Sequence, residues 1–118
     1  MYWIDNPVSY RIDNPKIKPL LINRAYQLLV RRGIEVIRIL NKKKVKNYLY
    51  YDPNLKSIKC SNSLKASKYE YFPIREIIYI GLTDSSTLYI LLKNQCLIFR
   101  VDTSTSANIL KAFLEYLR

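Results

Sequence analysis

The chain has 118 residues, 49% of them apolar, which suffices for one core and one domain. It contains no histidine and only two glycines, Gly33 and Gly81, which excludes a histidine-based triad and a glycine-rich phosphate loop. Its formal net charge of +11 is lopsided: up to Lys68 there are 15 Lys and Arg against 4 Asp and Glu, and from Tyr69 onward there are 5 of each. A one-sided basic surface points to an anionic partner: nucleic acid, acidic lipid or an acidic protein.

Residues 1–19 carry three of the five prolines and no helical period. They read as an extended lead segment, with Trp3 and Tyr10 available to pin it to the domain. Asp5 and Asp13 fall in two Asp-Asn-Pro turns, because proline disfavours helix in the residue before it. The spacing of Leu21, Ala25, Leu28 and Leu29 predicts a short helix from about Asn23 to Arg32, with Gly33 as its stop. Ile34 to Leu40 is rich in branched residues and reads as a strand. Asn41-Lys42-Lys43-Lys44 reads as a hairpin loop, and Val45 to Tyr51 as the returning strand. After the turn signal Asp52-Pro53-Asn54, a third strand is expected over Leu55 to Cys60. A polar loop follows, from Ser61 to Lys68. More strand is expected from Tyr69 to Gly81, interrupted at Pro73, and then a closing hairpin from Thr87 to Asp102. Ile109, Leu110, Phe113, Leu114 and Leu117 form one apolar stripe of a C-terminal amphipathic helix, capped from Thr103 to Ser106.

The expected fold is therefore mostly β with helices (α+β). About seven strands in hairpin succession make a bent antiparallel barrel, one amphipathic helix plugs its open end, and a short helix precedes it. The domain spans residues 20–118, after the segment 1–19. The carboxylates are scattered singly, so no enzyme, catalytic residue, metal site or cofactor is expected. Cys60 and Cys96 have no metal-ligand spacing and read as reduced thiols, with Cys96 in the core. No stretch approaches the roughly 20 apolar residues that cross a bilayer. The N-terminus lacks a basic start followed by an apolar run, so no signal peptide is expected, and Tyr2 stands where N-myristoylation requires glycine.

The order of elements and several local motifs resemble a pleckstrin-homology (PH) domain, chiefly those of phosphoinositide-specific phospholipases C. Leu28-Leu29 and Gly33 resemble the family's apolar "LL-x-G" before strand one. The stretch Val36-Ile37-Arg38-Ile39, Lys42-Lys43-Lys44-Val45-Lys46 and Tyr48 is similar to its lysine-tipped first hairpin. Phe72 to Gly81 looks like its "F-x-I-x-D/E-I-x-x-I-x-x-G" pattern. Two departures stand out: the only tryptophan is Trp3, so Phe113 takes the packing role of the family's C-terminal tryptophan, and Leu40 stands where a second basic residue of strand one is usual. The composition, rich in isoleucine, lysine, asparagine and tyrosine, together with the leading helix also resembles the acylated PH-domain proteins of apicomplexan parasites. The resemblance implies a cytoplasmic protein, peripheral on an inner membrane face, that binds phosphatidic acid or a phosphoinositide.

The candidate lipid-phosphate site is Arg38, Lys42, Lys43, Lys44, Lys46 and Lys65. Arg38 and Lys46 are expected to converge across the two strands of the hairpin, with Lys42 to Lys44 crowning its loop and Lys65 at the border. The alternative reading is a protein-interaction module on the same scaffold. Nucleic acid ranks below both, because the eleven tyrosines read as half-buried strand residues.

Overall fold

The computed structural model describes residues 18–63 and 68–118, and Lys65 and the leading residues 1–17 lie outside the described residues. The element order is α1 (Lys18–Arg31), β1 (Ile34–Leu40), β2 (Lys43–Asp52), β3 (Ser57–Ser61), β4 (Glu70–Pro73), a one-turn 3-10 helix (Ile74–Glu76), β5 (Ile77–Thr83), β6 (Thr87–Leu92), β7 (Cys96–Arg100) and α2 (Ser104–Leu117). Seven strands form one antiparallel sheet in the order β4-β3-β2-β1-β7-β6-β5. The sheet is bent but not closed, so β4 and β5 are its edges. The expected α+β architecture, a seven-stranded bent sheet with a C-terminal helix and a short N-terminal helix, is the observed one.

Helix α1 begins at Lys18, five residues before the expected start. Pro19 explains the difference: its fixed φ suits a first helical turn, where no N–H partner is needed. The helix ends at Gly33, whose φ is +73°. The N–H groups of Arg32 and Gly33 both donate to the Leu28 carbonyl, which satisfies a helix-end acceptor through a left-handed residue. A side chain at position 33 would meet the Tyr50 ring, 2.4 Å from an added Cβ. Glycine is thus required there by backbone conformation and by close approach alike.

Helix α2 starts from the Thr103 side chain, whose hydroxyl accepts from the Ser106 N–H at 3.0 Å. Its apolar stripe, Ile109, Leu110, Phe113 and Leu114, is fully buried over the sheet. Phe113 lies edge-on to Tyr26 of α1 and Tyr51 of β2, with ring centroids 6.3 and 5.9 Å away. It fills the space between α1, α2 and the bent sheet.

Strand alternation sets the two faces of the sheet. Ile34, Val36 and Arg38 of β1, Asn47, Leu49 and Tyr51 of β2, and Ile58 and Cys60 of β3 are buried on the inner face. In β7, Leu97 and Phe99 point inward and Cys96 is exposed on the outer face. Cys96 therefore is not a core residue, contrary to the expectation from its apolar run. The period of two assigns the inward positions to its neighbours.

Candidate functional site

The first hairpin turns through Asn41 and Lys42, whose φ angles are 51° and 66°. Two consecutive left-handed residues make a two-residue turn that matches the twist of the flanking strands. The loop expected over four residues is therefore shorter. Lys43 and Lys44 belong to β2, paired with Leu40 and Ile39.

This register decides where the cations go. Residues directly opposite in an antiparallel pair share a face. Arg38 pairs with Val45, and Leu40 with Lys43, so these four share the inner face. Ile37 pairs with Lys46, and Ile39 with Lys44, on the outer face. Arg38 and Lys46 consequently stand on opposite sides of the sheet. They do not converge, and the expected five-cation cluster is divided between two faces.

Each of these two has its own carboxylate. Arg38 is only 5% exposed, and its Nη1 donates to Oε1 of Glu70 at 2.6 Å. Its guanidinium also lies over the Phe72 ring, 5.6 Å from the centroid. Lys46 Nζ lies 3.2 Å from Glu35 Oε1 on the outer face, and that carboxylate holds its pKa above the ordinary lysine value. Among the described residues Lys42, Lys43 and Lys44 have no ion-pair partner, and all three are exposed at the tip. Leu40 and Val45, which flank them on the inner face, are 45% and 37% exposed. The tip therefore presents three free charges beside two open apolar side chains.

Three residues of this region escaped sequence reasoning. Glu70 is separated from Arg38 by 32 positions, and only the β3–β4 register reveals the pairing, since it sets Glu70 opposite Cys60. Leu40 and Val45 had a signal, two large apolar residues bracketing a charged turn. Elsewhere on the outer face, Lys59 Nζ is 4.5 Å from the Tyr69 ring centroid and 5.7 Å from that of Tyr50. That cation is packed among rings and does not join the tip.

No family model matches the chain, and no curated protein matches it. Solved structures do. Inner Membrane Complex Sub-compartment Protein 1 from Toxoplasma gondii superimposes with a TM-score of 0.69 at 18% identity, over 91% of this chain and 98% of that one. The PH domain from TgAPH gives 0.62 at 11% identity, over 86% of this chain and 92% of that one. The N-terminal PH domain of human ARAP2 gives 0.61 at 16% identity, over 72% and 76%. The chain thus has the fold of the pleckstrin-homology superfamily. Apicomplexan proteins are among those that share it. Among the described residues no helix is long and apolar enough to cross a membrane.

Proposed function

We propose that this chain is a non-catalytic docking module that meets an anionic membrane surface with the tip of its β1–β2 hairpin. Lys42, Lys43 and Lys44 contact lipid phosphates, and Leu40 and Val45 enter the boundary between headgroups and acyl chains. The observation that carries this reading is the juxtaposition of three unpaired lysines and two exposed apolar residues at one hairpin end. Arg38 and Lys46 are engaged by Glu70 and Glu35, so no headgroup cup is built from them. The contact is electrostatic and unselective, and phosphatidic acid or a phosphoinositide serves as one anionic lipid among others. The place proposed for the protein is peripheral, on an inner membrane face. Each lysine near an anionic leaflet contributes about 1 kcal/mol, so three give roughly a hundredfold preference over neutral lipid. That supports reversible docking, and lasting residence needs a second signal.

Vesicle sedimentation tests this. Vesicles containing phosphatidic acid or phosphatidylserine at matched charge pull the chain down equally, and phosphatidylcholine vesicles do not. Replacing Lys42, Lys43 and Lys44 together with alanine removes the binding without lowering the melting temperature. Undiminished binding of the triple variant sinks the proposal. A protein-interaction surface is the second reading. The register shift between Ile77 and Tyr79 favours it, since that bulge leaves Ile78 and Tyr79 exposed at the β5 edge.

A further inference from the structure

Arg38 and Glu70 form an asymmetric pair. The arginine side chain is 6% exposed and the glutamate side chain 61% exposed. The guanidinium is thus the fixed floor of the site and the carboxylate its wet cover. The floor is rigid, since Arg38 is held between Phe72 beneath its plane and the paired strands β1 and β7, where it stands opposite Phe99. Lys43 lies on the same face, one inward position nearer the tip and across from Leu40. Asn47, a buried polar residue, stands on that face as well, across from Val36.

A guanidinium takes a carboxylate and a phosphate through the same fork of N–H donors. Glu70 therefore stands where a phosphate oxygen would stand. Its charge cancels that of Arg38 and leaves the seat, Lys43 included, at a net +1 as built. With the carboxylate turned into water, Arg38 and Lys43 leave two positive charges, which match a phosphomonoester of about −1.5 to −2 at pH 7. Turning out requires only side-chain rotation at the first residue of β4, because Glu70 is already mostly in solvent. A tethered competitor also acts at a high effective concentration, so dilute free phosphate loses to it.

We propose that Glu70 is a built-in competitor that closes an anion seat formed by Arg38 and Lys43, and that the seat accepts a phosphomonoester only when this carboxylate is displaced. This concerns the hairpin of the proposed docking reading, but it does not require a membrane. Its test therefore fails or succeeds separately. The probe is glycerol 3-phosphate, followed by the side-chain Nε–Hε resonance of Arg38 and by calorimetry. The unmodified chain gives no saturable response at millimolar probe. Glu70→Gln, which keeps an oxygen to accept from Arg38, binds at least tenfold more tightly and saturably, and Arg38→Lys added to it abolishes the gain. An unresponsive Glu70→Gln chain overturns the proposal, as does an unmodified chain that binds equally well.

If Glu70→Gln does not fold, the unmodified chain still decides. Phosphate raises any melting temperature by exclusion from the surface, so the rise over chloride at equal ionic strength is compared with that of Arg38→Lys: equal rises mark a closed seat, and a larger rise in the unmodified chain overturns the proposal. Placing Glu70→Gln in the Lys42→Ala, Lys44→Ala background and adding phosphatidic acid vesicles separates the two sources of phosphate. Regained pelleting identifies a lipid headgroup as ligand, and binding of glycerol 3-phosphate alone identifies a free phosphate. Either result supports an open seat in the variant.

Discussion

Cys60 lies on the inner face of β3, opposite Glu70 and Leu49 in the register. Burial pushes its thiol up from the ordinary value of 9.0 to about 12, with nearby Arg38 opposing and Glu70 assisting. The fold therefore favours the neutral thiol. Between pH 9 and 12 the unfolded chain releases this proton and the folded chain keeps it, so stability is full below pH 9 and declines above it. The loss reaches a ceiling of roughly 4 kcal/mol across that window. Tyr50 and Tyr51 act in the same sense from pH 10 upward, because burial raises both. Urea midpoints measured from pH 8 to 11 should fall, and Cys60→Ala should flatten the fall while lowering the starting value. An unchanged slope in that variant would show that the thiol does not carry the effect. In the native protein iodoacetamide should modify exposed Cys96 and spare Cys60.

At the scale of elements, the β1–β2 hairpin shows what patterning conveys and what it leaves out. Branched residues located β1 to the residue, from Ile34 to Leu40. The turn was harder, because three successive lysines read as loop, whereas the left-handed pair Asn41-Lys42 closes the hairpin and returns Lys43 to the strand. A one-residue change of register moves every side chain to the other face. The cation cluster was thus legible as sequence proximity but not as geometry. The α1–β1 junction was legible in full, since a glycine after two arginines at a helix end has one common meaning. It also yields a prediction. Gly33→Ala should cost about 1–2 kcal/mol for the left-handed backbone and a further 1–3 for crowding Tyr50. The ring cannot step aside freely, because Tyr69 lies edge-on to it at 5.7 Å and Lys59 covers it. Denaturant midpoints would measure the loss, and Tyr50→Leu in the same chain should recover part of it. A Gly33→Ala chain as stable as its parent would refute the assignment.

Across the whole molecule, charge and stability are housed in different places. The core runs from Leu29 and Ile34 through Leu49, Leu88 and Phe99 to Phe113, and among the described residues Arg38 is the one charged side chain buried with it. The three lysines of the hairpin tip, which have no ion-pair partner among the described residues, sit outside the core. The overall fold could be read from the chain because the change from helical to alternating period and back is written in local residues. The division of the cations could not, because Glu70 meets Arg38 only after three hairpins have set the register between them. This separation has a measurable consequence. Salt screens exposed charges over about 10 Å at 0.1 M and far less distance near 1 M, while buried pairs are screened much less. Raising the salt from 0.1 to 0.5 M should weaken vesicle binding at least tenfold, because Lys42, Lys43 and Lys44 at the tip are exposed. The melting temperature should hardly move over the same range, because the apolar core carries the stability and Arg38 is the one charged side chain buried in it among the described residues. Binding that survives 0.5 M salt would transfer the interaction to the apolar side chains, Leu40 and Val45 at the tip or Ile78 and Tyr79 at the β5 edge. Replacing each pair by serine would then show which of the two surfaces holds the partner.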